Sequence, residues 1–217
     1  MDFNPKLFFR FFPQLLEGYF FTLQYAFIGI VFSILLGILI GMVMCLKIPV
    51  VNTILRWYID IFRETPLIVQ MYLLYYGLPY VGVLLPPAVA GMLAIIFNES
   101  AFTAEIVRGG IESIGLGQKK AARSLGFSRI QILLTILFPQ AMKSIYPSLA
   151  GQGSFILKDT SLLTLVTITE LTSVSRYLNS RYLIPGTAFI GSAIFYVVTF
   201  WAIQGVVSIL QKRQKWN

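Results

Sequence analysis

The chain has 217 residues, 57% hydrophobic and only 12% charged, with a net charge of +8. Soluble domains carry roughly a quarter charged residues, so the composition argues against a water-soluble enzyme and assigns the length to membrane spans of about 20 residues each. There is no histidine and a single cysteine, Cys45, which removes disulfide frameworks, Cys/His zinc sites, haem attachment and His-based triads. In such a chain the basic excess reports sidedness before it reports a nucleic-acid partner, and none is expected.

In chain order, Phe3 to Phe12, with Lys6 and Arg10, reads as an interfacial helix or a simple aromatic belt at the outer end of the first span. The 29 uncharged residues from Gly18 to Leu46 are long enough to cross a bilayer. They are too long for a signal-peptide core, so the stretch is expected to be retained as a span over 19–46. Cys45 at its end reads as a packing residue. A further 34 uncharged residues run from Thr65 to Asn98, with Pro79, Pro86 and Pro87 marking a turn inside them. Two spans follow, 65–80 and 87–107, and Arg63-Glu64 before Thr65-Pro66 reads as a hinge opening the second, with Pro66 in a first helical turn.

The stretch Ile130 to Leu157 is broken by Pro139 and Pro147, which places a crossing over 140–158 and the preceding segment at the interface. The 26 residues from Thr160 to Pro185 are too polar to cross and too apolar to float. They are expected to be partly re-entrant or to lie on the outer face under protein cover. A last span, 187–210, is followed by Lys212, Arg213 and Lys215. The fold class is therefore an all-α integral membrane protein, one domain over 1–217 with five transmembrane helices.

Basic residues set the orientation. With the N-terminus outside, the inner segments hold eleven: Lys47, Arg56, Arg63, Arg108, Lys119, Lys120, Arg123, Arg129, Lys212, Arg213 and Lys215. The outer segments hold five: Lys6, Arg10, Lys158, Arg176 and Arg181. N-out and C-in is the expected topology.

The longest polar inner loop, 112–130, lies between spans 3 and 4. Gly126 stands where a short helix from about Gln118 to Leu125 needs a left-handed end. Ser128 with Gln131 forms a capping box opening the next helix. Such a helix presents Ala121, Ala122 and Leu125 on one side and Lys119, Lys120 and Arg123 on the other, a shape suited to a partner's groove.

The run Gln118-Lys119-Lys120-Ala121-Ala122-Arg123-Ser124-Leu125-Gly126, followed by Phe138-Pro139-Gln140-Ala141, resembles the EAA loop of ABC-importer permeases. More narrowly the chain resembles permease subunits of polar amino acid importers, the histidine/glutamine/arginine group. The likeness continues through Arg63-Glu64-Thr65-Pro66-Leu67-Ile68-Val69-Gln70, Ala101 to Ile111 and Leu157 to Leu162, collinear from about Gly18 to Leu210. Lys120 stands where the loop motif usually opens with an acidic residue, which removes the salt bridge that residue would make.

The resemblance implies that Lys119, Lys120, Ala121, Ala122, Arg123, Leu125 and Gly126 couple to a cytoplasmic ABC ATPase dimer. It also implies a second permease, identical or paralogous, an extracytoplasmic amino acid binding protein, and residence in the bacterial cytoplasmic membrane. No G-x-x-x-x-G-K-[ST] run occurs, so this chain binds no nucleotide of its own by that device. ATP and Mg are expected on the ATPase, and no enzyme activity is expected here.

Ionisable groups at membrane depth are default candidates for a substrate path. Glu99 with Asn98, and Gln152 with Ser154 beside Gly151 and Gly153, are the candidates, each with structural glue between spans as the alternative. In the resembled group Asn-Glu often stands where Gly151-Gln152 stands here. Glu105 with Arg108, and Lys158 with Asp159, read as structural pairs. A stand-alone channel or ion-coupled carrier for a small polar solute is the other functional reading, and a membrane-embedded enzyme a distant third. Glutamine is the favoured substrate, with arginine close behind.

Overall fold

A computed structural model describes residues 3–214. Lys215, counted above among the inner basic residues, lies outside them. The described residues form α1 (Pro5–Cys45), α2 (Pro49–Glu64), α3 (Leu67–Tyr72), α4 (Pro87–Glu112), α5 (Leu116–Ser124), α6 (Arg129–Gln131), α7 (Phe138–Asp159), α8 (Leu171–Tyr182) and α9 (Pro185–Gln214). π-helical turns continue α3 over Leu73–Gly77 and join α6 to α7 over Ile132–Leu137. Short 3-10 stretches cover Leu78–Val81 and Thr160–Val166. Among the described residues three helices are long and apolar enough to cross a membrane: Pro5–Cys45, Pro87–Glu112 and Pro185–Ile209.

The first correction concerns α1. No separate interfacial helix precedes the span, because Pro5 to Cys45 is one helix of 41 residues. Its start is fixed by Asn4, whose side chain accepts from the Lys6 and Leu7 amides at 3.0 and 3.3 Å, with Pro5 in the first turn. Phe11 and Leu15 are buried against Leu171, Leu178 and Ala188 of α8 and α9, so the Phe-rich segment is anchored by protein. At the far end Asn52 donates to the Met44 carbonyl at 2.8 Å, satisfying one of the carbonyls a helix end leaves free.

Along one face of α1 run Gly18, Thr22, Ala26, Gly29, Ser33, Gly37 and Gly41, all buried. Small residues spaced by four let backbones approach closely. A Cβ added at Gly41 would stand 2.7 Å from the Ala104 carbonyl and 2.8 Å from the Val107 Cβ. At Gly29 it would meet Ile156 at 3.0 Å and Ile95 at 3.4 Å. Helices α4 and α7 thus pack against a groove cut into α1.

The second hydrophobic stretch is less regular than its composition suggests. α2 ends at Thr65, Pro66 takes the N-cap position of α3, and the chain stays helical only to Val81. Gly82 then stops it with φ +84°. The proline turn falls at 82–86 as the sequence indicates. Pro66 stands just outside the helix, at the N-cap, where it was expected in the first turn.

A third correction concerns Pro139 and Pro147, which do not break the fourth stretch. The chain is helical without interruption from Arg129 to Asp159. The π-helical turns before Pro139 widen the helix where a proline ring would otherwise strike the preceding turn. Thr160 to Tyr182 forms two short helical segments whose Leu163, Val166, Leu171 and Leu178 are fully buried, so this segment has the protein cover its backbone requires.

Large apolar side chains remain exposed on α1 and α9, among them Phe20, Phe27, Leu35, Val198 and Trp201. A surface of that kind fits hydrocarbon or another protein and not water. Gly41→Val is expected to destabilise the chain by about 1–3 kcal/mol through overpacking. Gly109→Ala, whose new Cβ meets nothing within 4 Å, should leave stability unchanged or slightly raised. Thermal unfolding of the two variants in detergent checks the contrast.

Candidate functional site

The α5 end of the molecule carries the loop that the sequence singles out. α5 opens at Gly115, runs from Leu116 to Ser124, and stops at Gly126 with φ +83°. The Phe127 amide donates to the Ala122 carbonyl at 3.2 Å and the Gly126 amide to Arg123 at 2.9 Å. These two bonds form a Schellman motif, which needs a left-handed residue that only glycine adopts without cost. The capping box follows at once: Ser128 N–H donates to Gln131 Oε1 at 2.8 Å, and Gln131 N–H to Ser128 Oγ at 3.3 Å.

Ala122 is 3% exposed and packs with Val107, Ile111, Leu133 and Leu137, so it belongs to the core and not to the presented face. This corrects the pairing of Ala121 with Ala122: neighbouring residues differ by about 100° around a helix, and Ala121 with Leu125 faces outward. Gln140 Nε2 donates to Gln118 Oε1 at 2.8 Å and ties α5 to α7. Leu116 and Leu125 stand 70% and 77% exposed on a helix held to the body from behind. Lys119, Lys120, Arg123, Lys47 and Arg129 line a cavity of about 660 Å³ between α5 and the ends of α1 and α4, with Glu112 the one acid.

Arg108 donates to Glu105 and to Glu112, each at 2.6 Å, in a three-residue cluster closing α4. Lys158 and Asp159 are not a pair. Adjacent helical residues point apart, and the Lys158 ammonium sits 4.3 Å from the centre of the Phe155 ring. Asp159 turns inward against Glu99.

The substrate-path candidates separate into different jobs. Pro66 has no N–H, so the Phe62 carbonyl loses the donor it would have in a continuous helix. Asn98 Nδ2 reaches that oxygen at 2.6 Å and Gln70 Nε2 at 3.0 Å. Asn98 is thereby committed to the break between α2 and α3. Glu99 accepts a hydrogen bond from Gln152, both buried, and this contact locks α4 to α7 with Asp159 beside it. Ser154 is buried without a partner among the described residues. A Cβ added at Gly153 would meet Ile30 at 3.6 Å, whereas one at Gly151 would meet nothing within 4 Å.

One residue escaped the sequence reading. Glu170 is fully buried and caps α8, accepting from the Thr172 and Ser173 amides at 2.8 and 2.6 Å and from the Tyr196 hydroxyl at 3.3 Å. Burial pushes its carboxyl above the ordinary range, and the amides of Thr172 and Ser173 and the Tyr196 hydroxyl pull it back. Its capping box places Glu first and Ser third, the reverse of the usual order. Only that reversed spacing, Glu170 to Ser173, could have signalled it.

A bundle of apolar helices closed at one end by a short, glycine-stopped helix defines a helical membrane protein built to engage something beyond the bilayer. The family described as binding-protein-dependent transport system inner membrane component matches residues 33–215, and the chain belongs to it. It is 35% identical over 216 residues to the nopaline transport system permease protein NocM of Agrobacterium fabrum, covering 94% of this chain and 88% of that one. It is 32% identical to the probable glutamine ABC transporter permease protein GlnP of Bacillus subtilis, covering 91% and 92%. Among solved structures it resembles a crystal structure of an amino acid ABC transporter with histidines, with TM-score 0.90, 29% identity, and coverage of 98% and 100%. The MetNI methionine ABC transporter, 18% identical with TM-score 0.80 over 94% of this chain and 97% of that one, shares the fold.

Removing either donor to the Phe62 carbonyl leaves the other in place. Asn98→Ala and Gln70→Ala should each cost about 0.5–1.5 kcal/mol, because the carbonyl keeps one donor, and the double variant more than their sum. A double-mutant cycle on unfolding in detergent measures the excess.

Proposed function

We propose that this chain is the membrane subunit of an ATP-driven, binding-protein-dependent importer of polar amino acids. It crosses the cytoplasmic membrane five times with its N-terminus outside. The crossings are α1, α2 with α3, α4, α6 with α7, and α9. Counting α2 and α3 as one crossing revises the boundary drawn from the uncharged run, because α2 packs beside the middle of α4 through Tyr58 and Phe62. Basic residues at the α5 end still outnumber those opposite when Arg56 and Arg63 are moved into the span.

The observation that carries the reading is α5 itself. It is held from behind by Ala122 and Gln118, with Ala121 and Leu125 side by side on its outward face and Leu116 exposed at its first turn on the opposite side. An exposed apolar edge on a braced nine-residue helix suits a groove on a partner. That partner is a dimeric ATPase, which holds ATP and Mg²⁺ and drives alternating access. A second permease half, identical or related, completes the route, and a binding protein delivers substrate outside. The named relatives act on glutamine and nopaline by their descriptions, which supports an amino acid or a close derivative, glutamine first.

A tagged chain purified in mild detergent should bring down a stoichiometric ATPase. Gly126→Val forces a β-branched residue to positive φ, a cost of about 1–2 kcal/mol. It should remove the ATPase and abolish uptake while leaving membrane insertion intact. Normal uptake by that variant would overturn the assignment of α5 as the coupling element.

A further inference from the structure

Helix α2 is divided lengthwise into three sectors. Leu55, Tyr58, Ile59 and Phe62 pack on α4 and α1. Val50, Ile54, Trp57 and Ile61 form an exposed apolar stripe, with Trp57 68% exposed. Between these sectors Arg56, Asp60, Arg63 and Glu64 form an exposed charged stripe, spaced as one helical face.

The depth of that stripe is what makes it informative. Phe62 is tied to Asn98, eleven residues from the start of α4 at Pro87. With the outer boundary of the bilayer at Pro87, as in the proposed topology, that is about 16 Å at ~1.5 Å per residue, the middle of a hydrocarbon core of ~30 Å. The Arg63 guanidinium lies 5.2 Å over the Phe102 ring of α4. Arg56 lies toward the α5 end, where both arginines are within electrostatic reach of Glu105. The stripe therefore runs from mid-depth toward α5 without entering the α5 surface itself. Among the described residues its four groups form no ion pair with one another, so they do not neutralise each other in place. Charged side chains near mid-depth are costly against lipid and almost always face protein or a water-filled cavity.

Resting on the proposed function, we propose that this stripe is the water-lined wall of the inner half of the translocation route. The two signs match an amino acid zwitterion: Arg56 and Arg63 face its carboxylate, Asp60 and Glu64 its ammonium. The neighbouring apolar stripe marks where water ends and lipid or the second permease half begins.

Single cysteines at Asp60, Arg63, Trp57 and Ile61, in a Cys45→Ser chain within the assembled transporter, test this in inside-out membrane vesicles. The probe is a membrane-impermeant anionic methanethiosulfonate, with and without glutamine. Asp60→Cys and Arg63→Cys should react at least about tenfold faster than Trp57→Cys and Ile61→Cys, a conservative share of the factor by which hydrocarbon excludes a charged reagent. Glutamine should slow labelling at Asp60→Cys and Arg63→Cys and leave Trp57→Cys and Ile61→Cys unchanged.

Equal labelling at all four positions would place α2 in bulk water outside the bilayer and overturn the proposal. Protection at all four, or faster labelling at Trp57 and Ile61, would overturn it too. Each such result can occur in a transporter that retains its ATPase and takes up substrate, so the importer reading fails or stands on separate measurements.

Discussion

The close approach of α1 to α4 sets the positions of everything else. Gly37 and Gly41 bring the two backbones together at a distance no larger residue allows, and Gly29 opens the same groove to α7 through Ile156. In a membrane the hydrophobic effect does not press helices together, so contact depends on close packing and on hydrogen bonds. With α1 and α4 fixed, α2 and α3 lie on the side of α4 where Ala101 and Ala104 leave room for Ile59. α7 closes the other side, and α5 hangs from the ends of α4 and α7 by Ala122.

The polar groups inside this frame mostly repair the backbone or join helices. Asn98 and Gln70 supply donors where Pro66 removes one. Glu170 supplies acceptors to the first amides of α8 and holds that segment to Tyr196 of α9. Glu99 with Gln152 joins α4 to α7. Each would read as a substrate contact from its residue type and depth alone. In the bundle each has a protein partner, because a bilayer offers no water to satisfy a buried polar group.

The α5 end follows the opposite logic. There the chain leaves its polar and apolar groups free: Leu116 and Leu125 stand out on α5, and lysines and arginines surround the cavity beside it. The Gly126 stop and the Ser128 box hold α5 at a fixed angle between α4 and the helix beginning at Arg129. A rigid, short element between two long ones is the arrangement through which a partner's movement can reach the bundle.

Several local signals were legible in the sequence, although the Glu170–Ser173 box was missed. The Schellman stop at Gly126, the Ser128–Gln131 box and the turn after Pro79 are set by a few neighbouring residues, and each appears where the residue types require it. Prolines proved ambiguous, since Pro66 breaks a helix whereas Pro139 and Pro147 sit within one. Whether a ring is tolerated depends on how far the helix can widen and on who satisfies the freed carbonyl. Uncharged runs mark hydrocarbon contact, so they leave α2 out of the second span: in the arrangement proposed here α2 carries four charges on a face that never meets lipid. Composition and spacing determined class, loop and family resemblance. Which polar groups are locks and which lie open was decided only by tertiary structure, because pairing across helices joins residues dozens of positions apart.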